Sequence, residues 1–125
     1  MLNPSTADNE CDDPTITRCV DFARMWECGG ITVGNLFAYV STDAKILSKV
    51  TDPVGPENDT HLMRLHLDSK ITVAAWGEMG KLRNRGTIVM HMLRRVKRPA
   101  FLAKTKSGQP QHPLYIKKNT MPRFD

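Results

Sequence analysis

The sequence lacks several features that would place the protein in a familiar class. No apolar run approaches the roughly 20 residues that a membrane-spanning helix needs. The first residues carry neither the basic nor the apolar stretch of a signal peptide. The 3 cysteines show no CxxC spacing, and no HxxxH pair is present, which argues against a disulfide framework and a metal site. We therefore expect a cytoplasmic protein without membrane contact, metal or cofactor.

Acidic residues are almost absent from the last third of the chain. Residues 1–80 hold 6 Lys and Arg against 12 Asp and Glu, whereas residues 81–125 hold 12 Lys and Arg against one acid, Asp125. A basic segment of this kind predicts contact with a polyanion such as DNA or a nucleotide. The predicted phosphate contacts are Arg94, Arg95, Lys97, Arg98, Lys104 and Lys106. The alternative is that these side chains cover solvated faces folded near the acidic half.

Helical and extended patterns alternate along the chain. Asp13-Pro14 predicts a helix start, and Gly29-Gly30 predicts its end. The segment ITVGNLF predicts a buried strand from Ile31 to about Asn35, and ITVAAWG and AFLAK repeat that pattern. Three further helices are predicted. The first lies in STDAKILSKV, with Ser41 or Thr42 as its cap. The second runs from about residue 58 to 67, and the third covers a long basic stretch after Gly77.

This order of elements predicts an α/β fold. Strands that alternate with helices favour a three-layer sandwich, in which a mainly parallel central sheet has helices on both faces. We expect one domain over residues 1–125. The stretch Leu2-Asn3-Pro4-Ser5 has the character of a turn that ends a strand, yet almost no strand residue precedes it. We therefore expect the first strand to be missing and the chain to be N-terminally truncated.

Polar or aromatic residues follow each predicted strand. In parallel sheets the ligand site forms at the carboxyl ends of the strands, so these residues should share one rim. Asparagine and histidine both donate and accept hydrogen bonds, which suits recognition of a neutral heterocycle, and an aromatic ring could stack on it. For each position alone, ordinary turn chemistry is the alternative. The rim residues are Asn3 and Ser5, Asn35 to Phe37, Trp76-Gly77, and Gln109 to His112.

Six motifs spread over the chain resemble one family. They are LNPSTAD, DDPTI, NLFAYVSTD, DPVGPEND, AAWG and KTKSGQPQHPLYI. Together they are similar to the motif series of the bacterial and phage family called domain of unknown function 1643. That family has no settled activity, so the resemblance implies membership without a mechanism.

Shorter motifs carry a second resemblance, to the uracil-DNA glycosylase superfamily. Asn3-Pro4 is similar to the turn that positions water in the mismatch-specific branch. Asn35 falls where the uracil-specific branch reads the base edge, and His112-Pro113 resembles the loop that steadies the departing base. The chain departs from the pattern because Leu114-Tyr115 replaces the Ser-Pro-Leu stretch that pinches the DNA backbone, and the glycines flanking the first motif are missing.

This second resemblance implies a glycosylase-like hydrolase that acts on a flipped base. Asn3 would orient a water, and Asp8 is the reserve candidate for activating that water. His112 would donate a hydrogen bond to the oxygen of the departing base where negative charge develops. Substrate contacts would come from Ser5, Asn35, Phe37, Trp76 and Tyr115.

Three functions stay open on the sequence alone. The leading interpretation is a nucleobase-, nucleotide- or DNA-binding domain with glycosylase-like activity. The first alternative is a catalytically inactive relative that binds nucleic acid or a nucleotide. The second is a protein-interaction module whose basic face contacts an acidic partner. The oligomeric state is not indicated by any pattern in the sequence.

Overall fold

The computed structural model describes residues 1–4 and 14–124 of the chain. Its α-helices are α1 (Pro14–Met25), α2 (Asn58–Asp68) and α3 (Arg85–Arg94), and its strands are β1 (Val73–Ala74) and β2 (Ala100–Phe101). Short 3-10 helices lie at Ala44–Ser48, Glu78–Asn84 and Pro113–Tyr115. The predicted site residues Ser5 and Asp8, and the predicted helix cap Asp13, lie outside the described residues.

Helix α1 begins at Pro14, where the sequence predicts a start. The proline ring fixes φ near the helical value, and its missing N–H has no partner to lose in the first turn. The helix ends before the predicted stop at Gly29-Gly30. Glu27 takes a left-handed conformation with φ 61°, and the Cys28 N–H donates to the Ala23 carbonyl over 2.8 Å. This bond closes the helix end without a glycine.

Strands β1 and β2 pair in parallel, with Val73 opposite Ala100 and Ala74 opposite Phe101. The Ala100 N–H also donates to the Thr72 carbonyl over 2.7 Å. The fold is therefore a mixture of helices with a small two-stranded parallel sheet. The described residues do not show the expected three-layer sandwich, and residues 31–35 form no strand of their own.

The first residues lie alongside residues 34–37, at the end of the strand predicted from Ile31 to about Asn35. The Met1 amino group donates to the Gly34 carbonyl over 3.1 Å, and the Leu36 N–H donates back to the Met1 carbonyl over 3.0 Å. In a parallel pair, a residue bonds to both chain neighbours of the residue opposite it. Here Met1 bonds to Gly34 and Leu36, the neighbours of Asn35. The Phe37 N–H then donates to the Leu2 carbonyl over 2.9 Å. Met1 and Leu2 are thus joined by backbone hydrogen bonds to residues 34–37.

The main core joins the segment after residue 35 to β1 and α3. Phe37 is completely buried in it, and Trp76 is 5% exposed. Leu2 packs against the same cluster from the side. The buried members are Leu36, Phe37, Leu47, Ala74, Trp76, Val89 and Leu93. A second, smaller cluster consists of Phe22, Leu102 and Ile116, and Val73 packs against it.

Two of the predicted helices differ from their sequence patterns. The long helix predicted after Gly77 is interrupted, because Arg83 and Asn84 both take left-handed conformations, with φ 52° and 56°. At Gly80 a Cβ atom would lie 1.9 Å from the Trp76 ring, so this 3-10 helix approaches the indole more closely than any other residue type allows. The STDAKILSKV helix forms as a single 3-10 element, capped by Asp43 instead of Ser41 or Thr42.

Two buried polar side chains bind the backbone carbonyls of Asn35 and Leu36. Asn58 Nδ2 donates to both carbonyls, over 2.9 Å and 3.0 Å. Arg85 is 4% exposed, and its Nε donates to the Leu36 carbonyl over 2.9 Å. The Arg85 guanidinium also pairs with Asp59 of α2. A buried carbonyl without a donor is costly, so these side chains stabilise the extended backbone at this point.

A buried histidine connects α2 with α3 and with the residue before β1. His66 is 1% exposed, and its Nε2 lies 3.2 Å from the Leu93 carbonyl and 3.0 Å from the Lys97 carbonyl. Because both partners accept, Nε2 carries the proton, and Nδ1 accepts from the Thr72 hydroxyl over 2.7 Å. Every polar atom of this side chain is thereby satisfied, which supports a structural role.

Replacement of Asn58 by alanine should destabilise the fold. The Asn35 carbonyl would lose its side-chain donor and the Leu36 carbonyl one of two, so we expect a loss of about 1–3 kcal/mol in the free energy of unfolding. Urea denaturation measures this change. Asn119→Ala, at an exposed position, is the matched control and should alter stability little. Equal unfolding midpoints for the two variants would contradict this role of Asn58.

Candidate functional site

The structure brings the end of β1 against the loop that precedes the His-Pro motif. Trp76 Nε1 donates to Gln109 Oε1 over 2.8 Å, and the Gly77 N–H donates to the Pro110 carbonyl over 2.8 Å. Gly77 has a positive φ of 80°, and a Cβ atom there would lie 3.4 Å from His112 Cβ. Two of the four predicted rim segments are therefore direct neighbours.

A carboxylate on the same corner holds the hairpin of residues 104–110. Ser107 Oγ donates to the two Glu78 oxygens over 2.6 Å and 2.8 Å, and Lys81 Nζ lies 3.2 Å from one of them. Hydrogen bonds from Ser107, then Thr105, then Lys81 lower the pKa of Glu78 to about 2, because they favour the charged carboxylate. No local pattern in the sequence indicates this contact, since Glu78 lies 29 residues from its partner Ser107.

His112 caps the 3-10 helix at Pro113–Tyr115. Its Nδ1 accepts from the Leu114 N–H over 3.3 Å, which places the proton of a neutral imidazole on Nε2. The ring lies 5.9 Å from that of Tyr115, between centroids, at an angle of 56°. The predicted substrate contact Tyr115 is 76% exposed. His112 and Tyr115 thus form one aromatic pair at the surface.

Asn3 is held by its amide nitrogen. Nδ2 lies 3.1 Å from the Pro4 carbonyl, 3.1 Å from the Tyr39 carbonyl and 2.9 Å from the Ser41 carbonyl. These contacts tie the first residues to the segment 39–41. The predicted role in orienting water would have to use the other atom of the amide, the carbonyl oxygen.

The two aromatic residues predicted to stack on a base lie in the main core. Phe37 is completely enclosed and Trp76 nearly so, so stacking on a ligand would require the core to open. Asn35 is half-buried and shares with Trp76 a cavity of about 120 Å³. That volume is below the ~300–1,000 Å³ of usual small-molecule sites. Neither Asn3 nor His112 lines this cavity.

The predicted phosphate-binding residues form two groups. Arg94, Arg95 and Arg98 lie exposed before β2, while Lys97 donates to the Ser69 carbonyl and is half-buried. Lys104 and Lys106 lie beyond β2, and Lys104 Nζ stands 4.8 Å from the centre of the Phe101 ring. An extended chain rises about 3.3 Å per residue, so Arg98 and Lys104 are separated by up to about 20 Å. The predicted phosphate contacts therefore lie on both sides of β2 in the chain.

Residues 1–4 and 14–124 contain no group of three or more His, Cys, Asp or Glu side chains arranged to hold a metal ion. None of the helices in the same part of the chain is long and apolar enough to cross a membrane.

A family model matches residues 1–114, which is most of the chain. The chain belongs to the family described as "Protein of unknown function (DUF1643)". The first resemblance stated from the motifs is thereby confirmed. Comparison with curated proteins and with solved structures gives no match. The resemblance to uracil-DNA glycosylases is not shown by any of these comparisons.

Sequence reasoning overlooked two lysines next to the aromatic pair of this DUF1643 domain. Lys117 and Lys118 are exposed and follow directly after the 3-10 helix that carries Tyr115. Their signal was present in the sequence as LYIKK, an aromatic residue interleaved with basic ones, which is typical of nucleic-acid contacts. The buried Arg85 gave no such signal, because basic residues surround it in the chain.

Acidification should release the hairpin from Glu78. The pKa of this carboxyl is about 2 in the folded protein against an ordinary value of 4.5, so its contribution is complete above pH 4.5 and is lost as the pH falls towards 2. We expect hydrogen-exchange protection factors of the 105–109 amides to fall over this range in the wild type. Glu78→Gln should lack this pH dependence.

The exposed Glu57 provides the control for that experiment. Glu57→Gln should keep the pH profile of the wild type, since this side chain does not contact the hairpin. If Glu78→Gln lost protection with the same pH profile as the wild type, another group would hold the hairpin.

Proposed function

We propose that this domain binds single-stranded nucleic acid through a surface centred on Tyr115. The observation that carries the proposal is an exposed tyrosine ring that stands against a histidine and is followed closely in the chain by two exposed lysines. We call this the Tyr115 surface, and its members are Lys104, Lys106, His112, Tyr115, Lys117 and Lys118.

Tyr115 is too exposed to serve the core. At 76% it is the most exposed large apolar side chain among the described residues. A base stacked on such a ring contributes about 1–3 kcal/mol, and this holds for every base because each has a π face. Sequence-tolerant binding of unpaired bases is therefore the chemistry that this side chain suits best.

The backbone around Tyr115 holds the ring in a fixed place. His112 caps its 3-10 helix, and Gln111 Nε2 donates to the Tyr115 carbonyl over 3.2 Å. The Gln111 N–H in turn donates to the Ala103 carbonyl over 2.9 Å, and Lys104 pairs with Pro110 in an antiparallel bridge. A platform fixed before binding loses less entropy when a ligand is bound.

The charge of the Tyr115 surface suits a phosphate backbone. All four of its lysines are exposed, and Lys106 lies in the hairpin turn whose base carries Lys104. The nearby carboxylate of Glu78 is neutralised in part by Lys81. For single strands the affinity falls with salt by a logarithmic slope of about −0.7 for each phosphate neutralised. Four lysines therefore predict a slope near −3 by the same rule, on the order of a 50-fold loss between 50 and 200 mM salt.

Fluorescence anisotropy with a labelled oligothymidylate tests the aromatic part of this proposal. The wild type should bind with the stated salt dependence. Tyr115→Ala should weaken binding roughly 5-fold to 150-fold through the loss of one stacked base, and Tyr115→Phe should retain most of the affinity. Tyr39→Ala removes the other tyrosine, which is 40% exposed, and should leave binding unchanged. Equal losses for Tyr115→Ala and Tyr39→Ala would contradict a stacking platform at Tyr115.

Paired lysine and arginine variants locate the interface. Lys117→Ala with Lys118→Ala should reduce both the affinity and the salt slope. Arg94→Ala with Arg95→Ala removes two charges at the other end of β2 and should have a smaller effect. A larger effect of the arginine pair would place the interface on α3. If the wild type does not bind the oligothymidylate even at low salt, a protein-interaction module is favoured instead.

Glycosylase-like hydrolysis is the second candidate function. It is favoured by the contact between Gly77 and His112 and by a proton on His112 Nε2, which could stabilise a departing base. Asn3 would orient the water and Asn35 would read the base edge. Such a reaction would require the core around Phe37 and Trp76 to open and admit the base.

Base release from uracil-containing, mismatched and modified duplexes tests this second candidate. His112→Asn keeps a side-chain acceptor for the helix cap but removes the ring N–H, so it should reduce the rate roughly 100-fold or more. His61→Asn, at an exposed position on α2, should retain activity. If the wild type releases no base from any duplex, the hydrolysis proposal is wrong, whereas the proposal of nucleic-acid binding still stands.

A further inference from the structure

Two cavities lie side by side between residues 32–34 and β1. The larger has a volume of about 670 Å³ and is lined by α1 through Phe22, Ala23 and Trp26. The smaller, of about 120 Å³, is lined by α2 and α3 through residues such as Leu62 and Val89. Both cavities share one set of lining residues, which are Met1, Thr32, Gly34, Ser69, Ile71 and Val73. They are therefore the two sides of a single slot.

The slot has the shape that a β-strand would fill between α1 on one side and α2 and α3 on the other. Successive side chains of a strand point to opposite faces, so alternate residues of one strand would enter the larger and the smaller cavity. The neighbouring β1 already follows this rule, because Ala74 and Trp76 belong to the main core while Val73 packs against the second cluster. Large side chains would suit the first cavity and small ones the second.

Backbone groups along both edges of the slot are available for pairing. Within residues 1–4 and 14–124, β1 pairs only with β2, which leaves its other edge towards the slot. On the opposite edge, no hydrogen bond joins the backbone groups of Ile31, Thr32 or Val33 to another described residue. A slot with unpaired backbone groups on two edges is suited to strand addition.

Met1 fixes the register and direction that such a strand would have. Its amino group bonds to the Gly34 carbonyl and its carbonyl accepts from Leu36, as a residue opposite Asn35 does in a parallel pair. Continuing this pattern upstream makes the N–H groups of Gly34 and Thr32 the next two donors. A strand in the slot would therefore run parallel to residues 31–34 and arrive at the nitrogen of Met1.

The amino group of Met1 is in an environment that suits a peptide nitrogen. Burial lowers its pKa to about 6 from 8.0, because the charged ammonium is desolvated. An amide N–H at this place would donate the same bond to the Gly34 carbonyl without a buried charge. Linkage of Met1 to a preceding residue would thus remove an unfavourable charge and continue the backbone ladder.

We propose that the slot accepts an extended apolar strand of about five residues, a usual strand length, joined to the amino group of Met1. This strand would lie beside β1 and become the centre of the small parallel sheet. The proposal is independent of the Tyr115 surface, because none of the slot residues belongs to it.

Two N-terminal extensions of equal length test the proposal. One carries five β-branched apolar residues directly before Met1, and the other carries five residues of serine, aspartate and proline, which cannot pair or pack. The apolar extension should raise the melting temperature by about 5 °C or more. It should also slow amide exchange at Thr32, Gly34 and 71–73 roughly tenfold or more. The polar extension should do neither.

Substitutions at Thr32 distinguish strand pairing from general hydrophobic contact. Thr32→Pro removes a predicted ladder donor at an exposed position, so it should cancel part of the gain from the apolar extension. Thr32→Val keeps the N–H and should preserve the gain. Equal gains in both variants would overturn the proposed register.

Three results would overturn the proposal itself. The first is an equal rise in melting temperature from the polar extension. The second is unchanged exchange at Thr32 and Gly34 in the chain with the apolar extension. The third is protection of the slot by the same apolar peptide added free in solution, but not by the extension, which would show that the strand comes from a separate partner.

Discussion

The extended segment from Gly34 to Phe37 must satisfy its backbone groups on both sides while it crosses the centre of the molecule. On one side, Met1 and Leu2 supply the acceptors for its N–H groups. On the other side, the buried side chains of Asn58 and Arg85 donate to its carbonyls. Because those side chains come from the first residues of α2 and α3, this one strip of backbone determines where both helices begin and where the main core forms.

Local patterns in the sequence correctly predicted those elements whose formation depends mainly on residues close together in the chain. Pro14 marked the start of α1, and the apolar stretches ITVAAWG and AFLAK contained β1 and β2. The expected long helix failed at Arg83 and Asn84, because the close approach of Gly80 to Trp76 is a tertiary contact that apolar periodicity does not record. Similarly, the sequence indicates only that a helix begins near residue 58, and the fold shows that the Asn58 amide donates to the carbonyls of residues 35 and 36.

For the candidate site, the sequence predicted which segments lie close together, because the ends of parallel strands meet at one edge of a sheet. Trp76-Gly77 and the loop before His112 do meet, as the rim argument required. The roles inside the rim were harder to read, since Phe37 and Trp76 have the same aromatic chemistry whether they face a ligand or a core. Burial decides between these uses, and burial depends on which residues α3 brings to the same place. Tyr115 shows the reverse case, an aromatic residue in an apolar stretch that the chain leaves exposed.

The slot and the Tyr115 surface depend on different contacts of the fold, so the two candidate functions should respond differently to a strand in the slot. The Tyr115 surface rests on short-range contacts within residues 101–116, among them the His112 cap and the Lys104–Pro110 bridge. The glycosylase-like candidate needs Asn3 and Asn35 as well. Asn35 lies opposite Met1, which bonds to Gly34 and Leu36, and Asn3 bonds to the segment 39–41. A strand in the slot would extend that pairing and hold Asn3 more firmly. Binding should therefore depend little on the slot, whereas any catalysis by Asn3 should depend on its being filled.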